Sequence, residues 1–312
     1  MALSPVDRVA VTTVVDNSID ILRPDEKVAR RWSLQRARKI ADLRAEHGLA
    51  HLVEMTRGRE TGRIAFDFGL TAGAMTHNFR ELGLDAGAID ALALSHGHSD
   101  HFGGLLGFLS VYRRRMRPGL RFYGHPNHYV ARWMERDGDR VSLGRLDRDD
   151  VARWDLEVVD VPEPAVLAEG ALLSGEMRTP EPFETIPPSL QMEQDGALVP
   201  DTFIGEQTLV AHVRDRGLVV VTSCSHRGII GICRHAARVS GVAKIHAVIG
   251  GFHLSGLDAE RIDRVVEALR GFEVDYLVPQ HCTGAEALVR LAQRMGRELV
   301  VSSTGSTFTF GG

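Results

Sequence analysis

Four short apolar runs in this 312-residue chain each end abruptly in a loop that carries histidine. Residues 91–94 (ALAL) lead into His96, His98 and His101, and residues 217–222 (GLVVVT) into His226. Residues 244–249 (KIHAVI) lead into His253, and residues 276–278 (YLV) into His281. Largely apolar runs of this length, bounded by turn residues, read as buried strands. Strands that end on one edge of a sheet bring their following loops together, so histidines far apart in the chain can form one cluster.

The remaining sequence alternates strand and helix patterns, which predicts an α/β arrangement. Val9–Val15 reads as an opening strand and Ser33–Glu46 as an amphipathic helix. Ala50–Met55 and Arg63–Asp67 read as a hairpin, followed by a helix over Ala72–Leu82. A helix over Gly103–Met116 and a strand at Leu120–Tyr123 come after the first histidine loop. Asp258 caps a predicted helix that runs to Phe272, with Ile262, Val265, Val266 and Leu269 at helical spacing. A helix at Ala285–Met295 and strands at Leu299–Ser302 and Ser306–Phe310 close the pattern. Residues 133–207 are rich in Asp, Arg, Glu and Pro. They read as short strands and loops that cover a site, so one domain over 1–312 is expected.

A formal charge of −4 leaves no electrostatic footprint for nucleic acid. The richest basic run, Arg113-Arg114-Arg115 with Arg117, reads as a solvated helix end. No run approaches the ~20 apolar residues of a membrane span. Asp7 and Arg8 stand where a secretory peptide needs an apolar core, so the expected location is cytoplasmic. The expected partner is a small-molecule substrate, with no nucleic acid or membrane contact and a homodimer left open. Cys224, Cys233 and Cys282 are odd in number and form no CxxC pair, which argues against a disulfide framework.

His96-Gly97-His98-Ser99-Asp100-His101 places four strong metal ligands within six residues. Crowding them into one strand-to-helix turn without a cation would leave buried polar groups unpaired, so the loop reads as metal-binding. LSHGHSDHFGGL resembles the HxHxDH motif of the metallo-β-lactamase superfamily. The resemblance implies an αββα sandwich with one or two metals at the sheet edge. It assigns His96 and His98 to the first metal, Asp100 and His101 to the second, and His281 to completing the second.

AEHGLAHLVE, FDFG, LSGE, TSCSHRGI, VIGGFHL and VPQHCTG are together similar to one branch of that superfamily. Its members carry the labels ribofuranosylaminobenzene-phosphate-synthase-like and 7,8-dihydropterin-synthase-like. The resemblance runs from about Val11 to Phe308 and makes Asp67 a buried brace for the metal loop. Two departures stand out. A GHT-type histidine has no counterpart between 150 and 200, where LSGE offers only Glu176. Cys224 stands where a bridging aspartate is expected; His226 is the expected replacement ligand, and Cys224 reads either as a thiolate ligand or as a small buried residue.

The expected reaction is hydrolysis of a small molecule by a metal-activated hydroxide. Zinc suits the donors best, as one or two ions, with Mn2+ or Fe2+ open. Asp100 would orient the water and accept its proton, and His253 would stabilise developing negative charge. His125 and His128 are possible substrate contacts. The second ligand slot holds His98 rather than the glutamate of the flavo-diiron relatives, which favours hydrolysis over oxygen chemistry. Alternatives are the transferase that the branch label names, hydrolytic dehalogenation of an activated aromatic, and metal-dependent binding or sensing without turnover.

Overall fold

The computed structural model describes residues 3–33, 42–168, 170–179 and 181–312. The chain opens with β1 (Arg8–Val15) and a short β2 (Ala29–Arg30), then makes a hairpin of β3 (Ala50–Arg57) and β4 (Glu60–Phe66). Helix α1 (Ala72–Glu81) starts where the Thr71 side chain accepts a hydrogen bond from Ala74 N, an ordinary N-cap. After β5 (Ala91–Ala93) come two short helices, α2 (Ser99–Phe102) and α3 (Leu105–Tyr112). The helix expected over 103–116 is α3 followed by a 3-10 turn over Arg113–Arg115, and α2 precedes it as a turn that had not been expected.

β6 (Leu120–Gly124) is followed by the hairpin of β7 (Arg132–Arg136) and β8 (Asp139–Gly144), then α4 (Arg148–Ala152) and β9 (Leu156–Asp160). β10 (Ala165–Ala168), β11 (Ala171–Leu173), β12 (Leu190–Gln194) and β13 (Ala197–Pro200) come next, then β14 (Leu209–Val213) and β15 (Gly217–Val221). The C-terminal part alternates α5 (Ile229–Ser240), β16 (Ile245–Gly251), α6 (Ala259–Arg270), β17 (Tyr276–Gln280), α7 (Ala285–Arg294) and β18 (Thr307–Gly311).

Among the described residues these strands form an eight-stranded sheet, order β2-β18-β1-β3-β4-β5-β6-β9, and a six-stranded sheet, order β10-β11-β14-β15-β16-β17. A smaller sheet, β13-β12-β7-β8, accounts for most of the strands in the segment 133–207. Val11, Val53, Phe66 and Phe308 from the first large sheet pack with Val219, Ile249 and Val278 from the second, so the two sheets share one core. Phe68, Phe79, Phe108 and Leu109 bury the outer face of the first sheet under α1 and α3. Ile230, Cys233, Val266 and Leu291 do the same for the second under α5, α6 and α7. The layers run helix, sheet, sheet, helix. This is the αββα sandwich, and each sheet buries both faces.

Some expectations need correcting. Most of the helix read over Ser33–Glu46 lies outside the described residues, and its described end, 42–46, is not helical. The strand expected at Leu299–Ser302 is reduced to one bridge between Leu299 and Leu277. Helix α5 and strand β14 had no counterpart in the sequence reading. No helix among the described residues is long and apolar enough to cross a membrane.

Topology then places the site. β15, β16 and β17 run parallel to one another, and β5 runs parallel to β4 and β6. The loops that follow these strands meet at one end of the sandwich. There His96 and His226 rings lie 4.9 Å apart, His226 and His253 4.2 Å, and His101 and His281 5.1 Å.

Candidate metal centre

The loop from Ser95 to His101 is held by one carboxylate. Asp67, buried and at a positive φ of 61°, follows β4 directly. It accepts hydrogen bonds from Ser95 N and Ser95 Oγ, both at 2.7 Å, and from Ser223 Oγ. Its Oδ2 is 2.9 Å from His101 Nδ1, and since a carboxylate only accepts, His101 Nδ1 carries the proton. The Ser95 hydroxyl spends its hydrogen on Asp67, so His96 Nδ1, 2.9 Å from that oxygen, must donate to it. In their neutral forms both imidazoles therefore turn an unprotonated Nε2 inward. Asp67 thus ties the first histidine loop to Ser223 and His101.

The same logic applies to His281. Its backbone N donates to Asp16 Oδ1 at 3.0 Å, and its Nδ1 lies 2.9 Å from Asn17 Oδ1. If that oxygen accepts, Nε2 is again a bare lone pair, yet it sits 3.2 Å from Asp100 Oδ2. His101 Nε2 lies 3.5 Å from the same oxygen and 3.2 Å from Cys224 Sγ. Asp100, His101, Cys224 and His281 thus aim electron pairs at one another within 4.8 Å. Such a set is repulsive until a cation or a proton enters it. Burial opposes charge on His101, but the Asp100 and Asp67 carboxylates push it up to about 10. Burial likewise opposes the Asp100 charge, while His101 and His281 hold its carboxyl well below the usual range. A proton on His101 is the competitor of a metal here.

Beside this set stands a second. His96, Cys224 and His226 bring ligand atoms within 4.8 Å, and the His98 ring is 4.7 Å from His96 and 4.8 Å from His226. His96 Nε2, His281 Nε2 and both ring nitrogens of His226 are buried without a hydrogen-bond partner. Native interiors rarely leave such atoms orphaned. Burial first, then neighbouring imidazoles, hold His96 and His226 well below the ordinary histidine value, and burial takes His98 down to about 3. Neutral imidazoles with free lone pairs are the form that binds a metal. The residues present fit a divalent cation.

Gly97 lets this loop pass. A Cβ there would overlap the His128 carbonyl oxygen and Arg132 Nη1. Arg132 cannot yield, because its guanidinium is buried against Asp201 at 2.6 Å.

Sequence reading missed three contributors. Glu206 is buried and accepts from His226 N and Arg227 N, each at 2.8 Å, which fixes the His226 backbone; burial pushes its carboxyl up to about 7 against those bonds. Phe203 stacks on the His226 ring with centroids 4.0 Å apart and 18° between planes, and meets His98 edge-on at 5.2 Å. His47 places Nε2 3.6 Å from Asp100 Oδ2 with two-thirds of its side chain exposed, which marks the open side of the site. The AEHG motif was a signal for His47; nothing local pointed to Phe203 or Glu206.

His253 lies against His226 with Cys224 and Cys282 beside it, in neither of the first two ligand sets. His125 and His128 serve as supports. His125 bonds Asn127 N and Glu176, and His128 bonds His125 N and the Gly205 carbonyl, so all four ring nitrogens are engaged within the protein. They are not placed as the substrate contacts expected of them, and Glu176 pairs with His125 and Arg178 instead of joining the cluster. A cleft runs from His226 and His253 past Phe183, Glu184, Phe252 and Arg261. A larger cavity of about 540 Å³ between residues 3–4 and β10–β11 shares no residue with the cluster.

Residues 44–177 match the family model of the metallo-beta-lactamase superfamily. The chain is also 31% identical over 248 residues to the 7,8-dihydropterin-6-methyl-4-(beta-D-ribofuranosyl)-aminobenzene-5'-phosphate synthase of Methanocaldococcus jannaschii, spanning 78% of this chain and 83% of the relative. The chain belongs to the metallo-beta-lactamase superfamily. Its fold is shared with the crystal structure of Tm1679, a metal-dependent hydrolase of the beta-lactamase superfamily, at a TM-score of 0.74 and 24% identity over 97% of this chain and 100% of that one. A diphosphatase from the PhnP family matches at a TM-score of 0.52 and 13% identity, over 97% of each chain. The protein is a metal-dependent enzyme of this superfamily, and its buried His/Cys/Asp cluster is consistent with a metal site.

Proposed function

We propose that this enzyme is a zinc-dependent hydrolase of a small molecule. His96, His98 and His226 would hold one ion, and Asp100, His101 and His281 the other. The observation that carries this is the set of inward lone pairs, with five buried imidazole nitrogens of His96, His226, His253 and His281 left unpartnered at the meeting point of two sheets. Imidazole and carboxylate donors together suit zinc. A bound divalent ion supplies Lewis acidity and lowers the pKa of water from about 15.7 to roughly 7.

The protein's own groups do the rest. Asp100 keeps some exposure on the His47 side and stays ionised, so it can orient a water and take its proton. Asp67, Glu206 and Asn17 set the directions of His101, His226 and His281, so little reorganisation is needed when charge develops. His253 lines the cleft next to His226 and would stabilise negative charge on the substrate. Phe183, Phe252 and Leu254 line the same cleft and favour a substrate with an apolar part.

Metal analysis of the purified protein, with His98→Ala and His226→Ala variants and a panel of esters and phosphodiesters, tests the reading. Loss of metal and of turnover in both variants is expected. Full metal content and full activity in His226→Ala would sink the ligand set.

The name of the M. jannaschii relative favours a second reading, transfer to form a ribofuranosyl-aminobenzene phosphate at the same cluster. Turnover that requires a phosphoribosyl donor, and is absent without one, would select transfer over hydrolysis.

A further inference from the structure

The sulfur of Cys224 is common to both ligand sets. It lies within 4.8 Å of the ligand atoms of His96 and His226 on one side, and of Asp100, His101 and His281 on the other. Among the described residues no other belongs to both. We infer that Cys224 is a bridging thiolate that ligates both metal ions of a two-metal centre. The inference rests on the metal-binding reading above and goes further, since that reading needs no sulfur.

The backbone around Cys224 is built to fix the sulfur. Ser223 Oγ donates to Asp67, and the Ser223 carbonyl accepts from Gly251 N at 2.6 Å. Ser225, at a φ of 64°, donates its hydroxyl to the Gly251 carbonyl at 2.6 Å. The residue between them has little freedom and is 3% exposed. Its sulfur meets His101 Nε2 at 3.2 Å, a nitrogen left bare because Nδ1 donates to Asp67. A sulfur has lone pairs enough for two cations, and zinc takes thiolate readily at ~2.3 Å. Two ions sharing one ligand atom sit at the ~3.5–4 Å separation that two-metal hydrolytic sites use. The thiol proton leaves on metal binding, so affinity should rise with pH.

The structure also supplies a control. Cys282 is also buried in the same corner, and its Sγ–H donates to the Cys224 carbonyl at 3.3 Å. It joins Cys224 and His253 but neither of the other sets. A metal-bound thiol at this site is therefore assigned to Cys224 rather than to its neighbour.

Cobalt(II) titration of the whole protein tests the assignment, read by the thiolate-to-cobalt charge-transfer absorption in the near ultraviolet. The wild type should bind two Co2+ per chain, with that absorption growing over both equivalents. Cys224→Ser and Cys224→Ala should lose it completely and weaken binding of both ions at least tenfold, while Cys282→Ala keeps it. Absorption that stops growing after the first equivalent, or survives in Cys224→Ala, would overturn the bridge; so would two bound ions without the absorption. Failure of the wild type to bind cobalt at all would instead remove the metal-binding reading beneath it. The wild-type growth curve decides the question even if a variant folds poorly.

Discussion

Asp67 Oδ2 lies 2.9 Å from His101 Nδ1 and, with Ser223 Oγ at 2.7 Å from the same nitrogen, decides which nitrogen of His101 faces the cluster. Asp67→Asn puts an amide where four hydrogen-bond donors converge, so at least one of them faces an N–H group. His101 would then be free to adopt the other tautomer and turn a proton toward Cys224 and Asp100. Loss of such an orienting partner typically weakens metal binding 10–100-fold. A competition titration with a chelator should show a loss in that range for Asp67→Asn. Unchanged affinity would mean that Ser223 Oγ and packing orient His101 without the Asp67 carboxylate.

Glu184 links pH to stability through a helix end. Its two carboxylate oxygens accept from Ile230 N at 3.1 Å and Gly231 N at 3.0 Å, in the first turn of α5. Burial nevertheless pushes its carboxyl from 4.5 up to about 7, outweighing those bonds. Because the folded value is the raised one, the contribution is fully present below about 4.5 and is lost as pH rises through 7. Between these limits the slope is up to about 1.4 kcal/mol per pH unit. Urea unfolding of Glu184→Gln from pH 5 to 8 should lack this slope. The variant should therefore gain on the wild type as pH rises. A parallel pair of stability curves would show that Glu184 ionises freely.

That contact also explains what the sequence concealed. The histidine loops were legible because each follows an apolar run, and the HGHSDH spacing has few other uses. α5 was not, since its N-cap is Gly228 at a φ of 88° with no side-chain cap; the capping carboxylate comes from Glu184, remote in sequence. Phe203 and Glu206 reach His226 from a loop at the end of the least regular segment, and neither belongs to a helical or strand period. His125 and His128 follow β6, and their position at a strand end resembled that of the ligands. What separates them is only that protein groups occupy all their ring nitrogens. Patterns announce which strands end near the site. They do not announce which loop returns to cover it.

The cover rests on a buried ion pair. Arg132 and Asp201 are each about 1% exposed and 2.6 Å apart, and Asp201 also accepts from Phe203 N at 2.8 Å. Asp201→Ala should cost about 3–5 kcal/mol, because it strands a buried guanidinium. It should also release Phe203 from the His226 ring. Urea unfolding gives the first quantity. A faster loss of metal to chelator gives the second. The double variant Arg132→Met/Asp201→Leu should recover much of the stability without restoring the slow metal loss. If it restored both, the ion pair would have no part in placing Phe203.

Gly97 gives a test that leaves every proposed ligand in place. Its position between His96 and His98 is closed by the His128 carbonyl, which is backbone, and by Arg132, which Asp201 immobilises. Neither neighbour can move aside at low cost, so in Gly97→Ala the loop itself must shift. The shift falls on the two flanking imidazoles, whose partner His226 is held by Glu206 and Phe203 and cannot follow. Metal affinity should fall tenfold or more, with the loss confined to the ion that His96, His98 and His226 would share. Stepwise cobalt titration separates the two events. Gly97→Ala should leave one strong equivalent and one weakened, whereas Asp67→Asn should weaken the site that contains His101. Equal weakening of both equivalents in the two variants would mean that the two ligand sets do not act as separate positions.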